Sequence, residues 1–387
     1  MNRDDLALWA LRLRVMLGKE LRQLLRDRVL LAFIVYAFSV DIFLAASGVS
    51  LQLNRAATVV QDFDHSTASR ELSSRFVSPY FRVDGQISHD SEAQARLDDG
   101  RAMLALTIPP GFQADLQRGQ PTAVQLQVDA TNSVLGFLAS SYASLITSRF
   151  GLEQAASALG ASGAALPVID NQVRVWFNPN QLDSWFMGIT ELLNIVTVFS
   201  ILLPAAAMVR EKERGTVEQL LVSPLSPFQI VFPKVLAMTL VIVLGSALAL
   251  FGVLQLGFAV PVRGSAVLFL LLTALYVFTT AGLGLAAATL ARNLAQVGML
   301  SILILAPMIF LSGAWTPPEA MPAWLRALTY LSPMHYYIDA AFGVLLKGQG
   351  ALELWRSLLG MTLIGVTVFV WGAAPGAHGL STFIQCA

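Results

Sequence analysis

Residues Trp185 to Pro224 read WFMGITELLNIVTVFSILLPAAAMVREKERGTVEQLLVSP. From Trp185 to Val209 the only charged side chain is Glu191. A helix of about 20 apolar residues crosses a hydrocarbon core of roughly 30 Å, so this run is a membrane span. It ends abruptly in Arg210-Glu211-Lys212-Glu213-Arg214, where the chain meets water. Gly215 permits a sharp turn, and Thr216 with Gln219 has capping-box spacing. Pro224 and Pro227 stop whatever helix follows. The spacing predicts a short rigid helix bearing Val217, Leu220 and Leu221, on which a cytosolic partner can push. The plainer reading is a connector with one helical turn.

Working outward, five more apolar runs predict an α-helical membrane protein with six transmembrane helices. They are Val29 to Gly48, Val235 to Phe258, Ala266 to Leu290, Leu294 to Trp315 and Leu352 to Trp371. Composition agrees: 55% of the 387 residues are hydrophobic and 13% charged, against about 25% charged in soluble domains. The first run begins too late and runs too long for a cleaved signal core. Short basic segments mark the cytoplasmic side. They are Arg3, Arg12, Arg14, Lys19, Arg22, Arg26 and Arg28 before the first span, Arg210 to Arg214 after the second, and Arg292 between the fourth and fifth. The N-terminus is therefore expected inside. Residues 1–28 read as a basic amphipathic helix, with Leu11, Val15, Leu21, Leu24 and Leu25 at near-helical spacing, suited to the surface of anionic membrane lipids.

Between the first span (29–49) and the second lies a domain-sized segment, 50–184, expected to be an extracytoplasmic α/β domain. Strands are predicted at Ala57 to Val60, Ala102 to Ile108 and Val124 to Val128. Helices are predicted at Ser91 to Leu97, Phe112 to Arg118 and Asn132 to Leu159. The remainder, 185–387, forms a five-span domain carrying the cytoplasmic loop 210–227.

Several function classes fall away. Cys386 is the only cysteine, and the four histidines are scattered, so neither a disulfide framework nor a metal cluster is indicated. Zero formal net charge gives no sign of a nucleic-acid partner. No Gly-x-x-x-x-Gly-Lys-[Ser/Thr] phosphate loop occurs, so the chain is expected to bind no nucleotide cofactor and to draw its energy through a partner. Ionisable residues inside spans mark functional candidates, here Asp41 and Glu191, which either line a substrate path or meet solvent or a second copy. Gly245, Gly252, Gly282 and Gly284 are expected to permit close helix packing. Trp185, Trp315, Trp324 and Trp371 are expected to be interfacial anchors.

The stretch Glu211-x-Glu213-Arg214-Gly215-Thr216-x-Glu218-Gln219-Leu220-Leu221-Val222-Ser223-Pro224 resembles the hallmark of ABC-2 type permeases. Further segments agree in order along the chain. They are Lys19-Glu20-Leu21 with Arg26-Asp27, Val59-Val60-x-Asp62-x-Asp64-x-Ser66 with Ser69-Arg70, Ile108-Pro109-x-Gly111-Phe112, Phe177-Asn178-Pro179, Pro317 to Leu325, and Pro333 with Tyr336. The resemblance is strongest to the subgroup with a large external domain, often drug exporters. It implies that Glu211, Glu213, Arg214, Gly215, Thr216, Glu218 and Gln219 couple the spans to a separate ATPase, which holds ATP and magnesium. It also implies a second permease copy or homologue, and a periplasmic adaptor is a further candidate partner. The alanine- and arginine-rich composition and the large external domain favour the inner membrane of a Gram-negative cell. Members commonly end in a basic tail; here no lysine or arginine follows Trp371. An ion-coupled secondary transporter would need inverted repeats and broken helices. A membrane-anchored external binding or signalling protein would leave six spans unexplained.

Overall fold

The structure, a computed structural model, describes residues 3–48, 52–158, 174, 176–215, 227–314, 316 and 318–373. The expected helix at Thr216 to Ser223, with Thr216, Glu218 and Gln219, lies outside the described residues, as do Trp315, Pro317, the Trp371 side chain and the tail beyond Ala373. Chain contacts define a helical unit, Met1–Val49 with Val175–Ala387, and an α/β unit, Ser50–Arg174.

Helix α1 (Arg3–Arg26) is separated from α2 (Arg28–Gly48) by Asp27, whose extended backbone breaks the helix and whose carboxylate caps the next one through Leu30 N at 3.1 Å. Within α2 a π-helical turn occupies Ala37–Asp41.

In the α/β unit the order is β1 (Ala56–Asp62), α3 (Thr67–Ser74), β2 (Phe81–Gln86), α4 (Asp90–Asp98), β3 (Leu104–Ile108), α5 (Phe112–Gln117), β4 (Gln125–Val128) and α6 (Ser133–Ala158). The sheet order is β2-β1-β3-β4, with β1 parallel to both neighbours and β4 antiparallel to β3. Val60, Leu104, Leu106 and Ile108 form its buried face with Phe76, Phe81 and Phe150. Strand β2 has no counterpart among the predicted strands: in Phe-Arg-Val-Asp-Gly-Gln only Phe81 is buried, so it lacks the alternation that betrays a strand. The unit also closes at Arg174 rather than at residue 184. The intervening turn belongs to the helical unit, where the Asn178 amide clasps both backbone groups of Leu182 at 3.0 Å.

Where β1 and β3 end, the Asp62-x-Asp64-x-Ser66 run locks the unit. Asp62 accepts from Asp64 N, His65 N and the Ser69 hydroxyl. Asp64 accepts from Gly111 N at 2.8 Å and Gln113 N at 3.0 Å, and Gln113 in turn caps α3 through Thr67 N and Ala68 N. Partial burial pulls the Asp64 carboxyl upward. The hydrogen bonds from Ser66, Gln113, Gly111 and Phe112 outweigh it and hold the group below the usual carboxylate range.

The helical unit continues with α7 (Asp183–Glu213), α8 (Phe228–Phe258, π-helical at Ala249–Gln255), α9 (Ala266–Leu290), α10 (Leu294–Phe310), α11 (Ala323–Thr329), α12 (Pro333–Phe342, extended by a π turn at Gly343–Lys347) and α13 (Trp355–Ala373). Four helices among the described residues, α2, α7, α8 and α9, are long and apolar enough to cross a membrane. Helix α10 stops at Phe310, short of the expected end at 315: Leu311 N still bonds back to Pro307 O, and Gly313 then turns the chain at φ +87°. At its far end α13 begins three residues late, after a turn capped by Glu353 onto Gly350 N.

Helix α7 is the axis of the unit. Of its apolar window 83% is buried, against 28% for α2. Gly284 of α9 abuts the Ile201 carbonyl of α7, leaving no room for a side chain. A Cβ on Gly245 would come within 2.7 Å of the Phe38 ring. A Cβ on Gly252 would have no neighbour within 4 Å among the described residues, so Gly252 makes no close helix contact of the expected kind within this chain. Helix α12, too short to read as a span, is buried beside α9 and α13. Its Tyr337 stacks on Tyr276 at 4.1 Å. Both hydroxyls are satisfied, by Thr273 at 2.8 Å and Thr197 at 2.9 Å, as a polar atom inside the bundle requires.

Candidate functional site at the end of the axial helix

Successive residues of an α-helix point about 100° apart, so a run of four faces every side of the axis. At the end of α7 that run is Arg210-Glu211-Lys212-Glu213, and each residue engages a different neighbour. Arg210 Nη1 donates to Asp27 Oδ2 at 2.9 Å, tying α7 to the α1–α2 junction. Glu211 Oε1 accepts from Lys19 Nζ of α1 at 2.9 Å and lies 3.0 Å from Lys234 Nζ of α8. Lys212 Nζ reaches the last carbonyls of α9, at 2.9 Å from Ala288 O, with Thr289 O and Ala291 O at 3.3 and 3.4 Å. Glu213 Oε1 accepts from Leu294 N, the first amide of α10, at 3.0 Å. Charges of both signs thus stand where the helix dipoles favour them, cation at a C-terminus and anion at an N-terminus.

The buried heart of this hub is an ion quartet. Lys234 Nζ donates to Glu20 Oε1 at 2.8 Å, and Lys19 Nζ stands 3.7 Å from the same oxygen. Lys234 is 1%, Glu20 3% and Glu211 5% exposed. Two carboxylates and two ammoniums cancel, which is the condition for burying charge at all. Partial burial opposes the Lys19 charge, but the hydrogen bond and charge of Glu211, with Glu20 behind them, hold its ammonium above its ordinary range.

Arg214 and Gly215 end the helix. Arg214 N bonds back to Arg210 O, Gly215 N bonds to Lys212 O, and Gly215 sits at φ +65°, the left-handed closure glycine favours. Of the expected coupling residues, Glu211, Glu213, Arg214 and Gly215 are therefore together at one helix end. Glu211 departs from the expectation in one respect: it is buried, and its Oε1 is held by two ammoniums inside the bundle rather than presented to a partner protein.

Asp41 and Glu191 are brought together within electrostatic reach on α2 and α7. Sequence reading missed Lys234, Glu20, Asp27 and Lys212 as members of a site. Lys234 carried a signal, a lone cation after Pro233 in an otherwise apolar run, but opening the third span at Val235 set it aside.

A profile described as the ABC-2 family transporter protein matches residues 29–374. The inner membrane transport permease YhhJ of Escherichia coli (strain K12) is 35% identical over 351 residues, covering 91% of this chain and 93% of that one. The probable multidrug ABC transporter permeases YbhR and YbhS of the same organism are each 28% identical, over 92% and 87% of this chain and 95% and 89% of their own lengths.

Proposed function

Because this chain belongs to the ABC-2 family of transporter proteins, we propose that it is the membrane-spanning permease subunit of an ATP-driven exporter whose ATPase is a separate polypeptide. The observation that carries the reading is the hub at Arg210–Glu213. The helix that emerges into the loop after Gly215 is bonded at its last turn to α1, α8, α9, α10 and the start of α2. A displacement delivered to that loop therefore reaches all of them together. Loop residues Arg214, Thr216, Glu218 and Gln219 meet the ATPase, while Glu211 and Glu213 pass its movement inward. ATP and magnesium sit on the ATPase subunits.

In this reading α10 and α13 complete six spans, the N-terminus and the 210–227 loop are cytoplasmic, and the α/β unit faces outward from the inner membrane. A second copy or a homologue supplies the other half of the translocation path, α1 rests on membrane lipids, and the α/β unit is where a periplasmic adaptor would engage. The names of the relatives, transport permease and multidrug permease, support export of drug-like compounds.

The test is co-expression of the full chain with its cognate nucleotide-binding subunit, followed by purification and reconstitution. The two should co-purify, and substrate should move only with hydrolysable ATP. ATP hydrolysis by the contaminant-free chain alone, or no association with the ATPase, would overturn the reading.

A further inference from the structure

Among the described residues, Asp41 and Glu191 are carboxylates inside the apolar spans α2 and α7 with no cation to answer them, in contrast to the quartet at the end of α7. Glu191 Oε2 accepts one hydrogen bond, from Asn194 Nδ2 at 3.1 Å. A carboxylate among apolar helices is costly and persists where it serves a purpose.

Packing sets the two groups on facing stretches of α2 and α7. Phe38 of α2 stacks on Phe199 of α7 at 5.6 Å. Further along, Ala46 lies against Gly188, where a Cβ would come within 3.1 Å of the alanine methyl. Asp41 lies between these contacts on α2 and Glu191 between them on α7. Asp41 also closes the π turn Ala37–Asp41, which packs against the second π segment, Ala249–Gln255 of α8. Such turns are rare and cluster at functional sites.

A separate observation points to a ligand. Asn194 is 9% exposed and its Oδ1 has no donor. With Nδ2 on Glu191, that oxygen lies beside the carboxylate. Thr190, 4% exposed and one turn away on the same helix face, has an unpaired hydroxyl. Buried polar atoms are seldom left so. The cluster offers acceptors in excess of donors and negative charge without positive. Its complement is a group bringing several N–H donors and a positive charge. Exposed Val40 and Phe43, flanking Asp41 on α2, offer apolar surface beside it.

We propose that Asp41, Glu191, Asn194 and Thr190 bind the ammonium group of an amphiphilic organic amine, whose apolar body lies along α2. This deepens the exporter reading and rests on it, by giving the substrate class as cationic amines. Charge-assisted hydrogen bonds from the ammonium to the two carboxylates supply the selectivity.

The test uses the full chain in lipid nanodiscs, with and without its ATPase subunits. The probes are monodansylcadaverine, a fluorescent primary ammonium amphiphile, and its neutral N-acetyl derivative. The wild type should bind the amine at least about tenfold more tightly than the acetylated compound, the scale of one charge-assisted hydrogen bond. Glu191→Gln and Asp41→Asn should each remove most of that preference while leaving binding of the acetylated probe unchanged, which also reports that the variants are folded. Equal binding of both probes by the wild type, as carboxylates serving only as proton carriers would give, overturns the proposal. So does binding of neither probe, or an amine preference that survives both substitutions. In all those cases ATPase co-purification stays intact and the exporter reading stands. Failure of the wild-type chain to hold its ATPase subunits would defeat that reading instead.

Discussion

Lys234 is the residue on which the quartet turns, since it alone joins Glu20 and Glu211 from a fully buried position. Lys234→Met leaves two carboxylates facing one ammonium, and breaking a buried pair costs about 3–5 kcal/mol. Glu20→Gln with Lys234→Met keeps the remaining Lys19–Glu211 pair neutral. The double variant should therefore melt higher than Lys234→Met alone, despite carrying one more substitution. Thermal unfolding of the detergent-purified chain measures this; additive losses would show that charge balance is not what holds the hub. In the α/β unit, Asp64 makes a prediction in pH. Its folded pKa lies below the unfolded value, so its stabilisation is present above the unfolded value of about 3.9 and is lost as pH falls through the folded one. Asp64→Asn should speed hydrogen exchange at Gly111 and Gln113 near neutral pH. The difference from wild type should shrink in acid; a gap that persists at low pH would contradict the assignment.

At the scale of elements, α9 and α10 are joined by a tight turn whose two faces are both held by α7: Lys212 on the end of α9 and Glu213 on the start of α10. Glu213→Ala removes one partner of the α10 amides, an interaction of about 0.3–1 kcal/mol. That is too little to unfold the bundle. Exchange should quicken at Leu294 while the α9 core around Tyr276 stays protected; uniform loosening would mean that Glu213 does more than cap α10. The long helices were legible because run length is a one-dimensional signal, and α9 runs over the expected Ala266–Leu290. Strands β1, β3 and β4 were legible through apolar patterning. Strand β2 was not, because as an exposed sheet edge it needs no alternation. Helix α12 escaped because ten residues cannot span a bilayer, and its burial depends on packing against α9 and α13 rather than on its own hydropathy.

Across the whole molecule the site was half legible. The charged run after the axial helix and Gly215 stood out in the sequence, and so did Asp41 and Glu191. Their partners did not, because Asp27, Lys19 and Glu20 lie 183, 192 and 214 residues from the groups they bind. No local pattern encodes such pairings; only the folded bundle does. In the proposed permease, ATPase movement enters at the turn after α7 and is spread by the hub. Gly215→Pro tests it most directly. Proline fixes φ near −65°, and Gly215 stands at +65°, so the helix end cannot close as it does, while a Cβ there meets no neighbour. The measurement is substrate exported per ATP hydrolysed, in proteoliposomes of the permease with its ATPase at matched content. Gly215→Pro should still assemble and hydrolyse ATP but export several-fold less per ATP. An unchanged ratio, with normal ATPase binding, would contradict it.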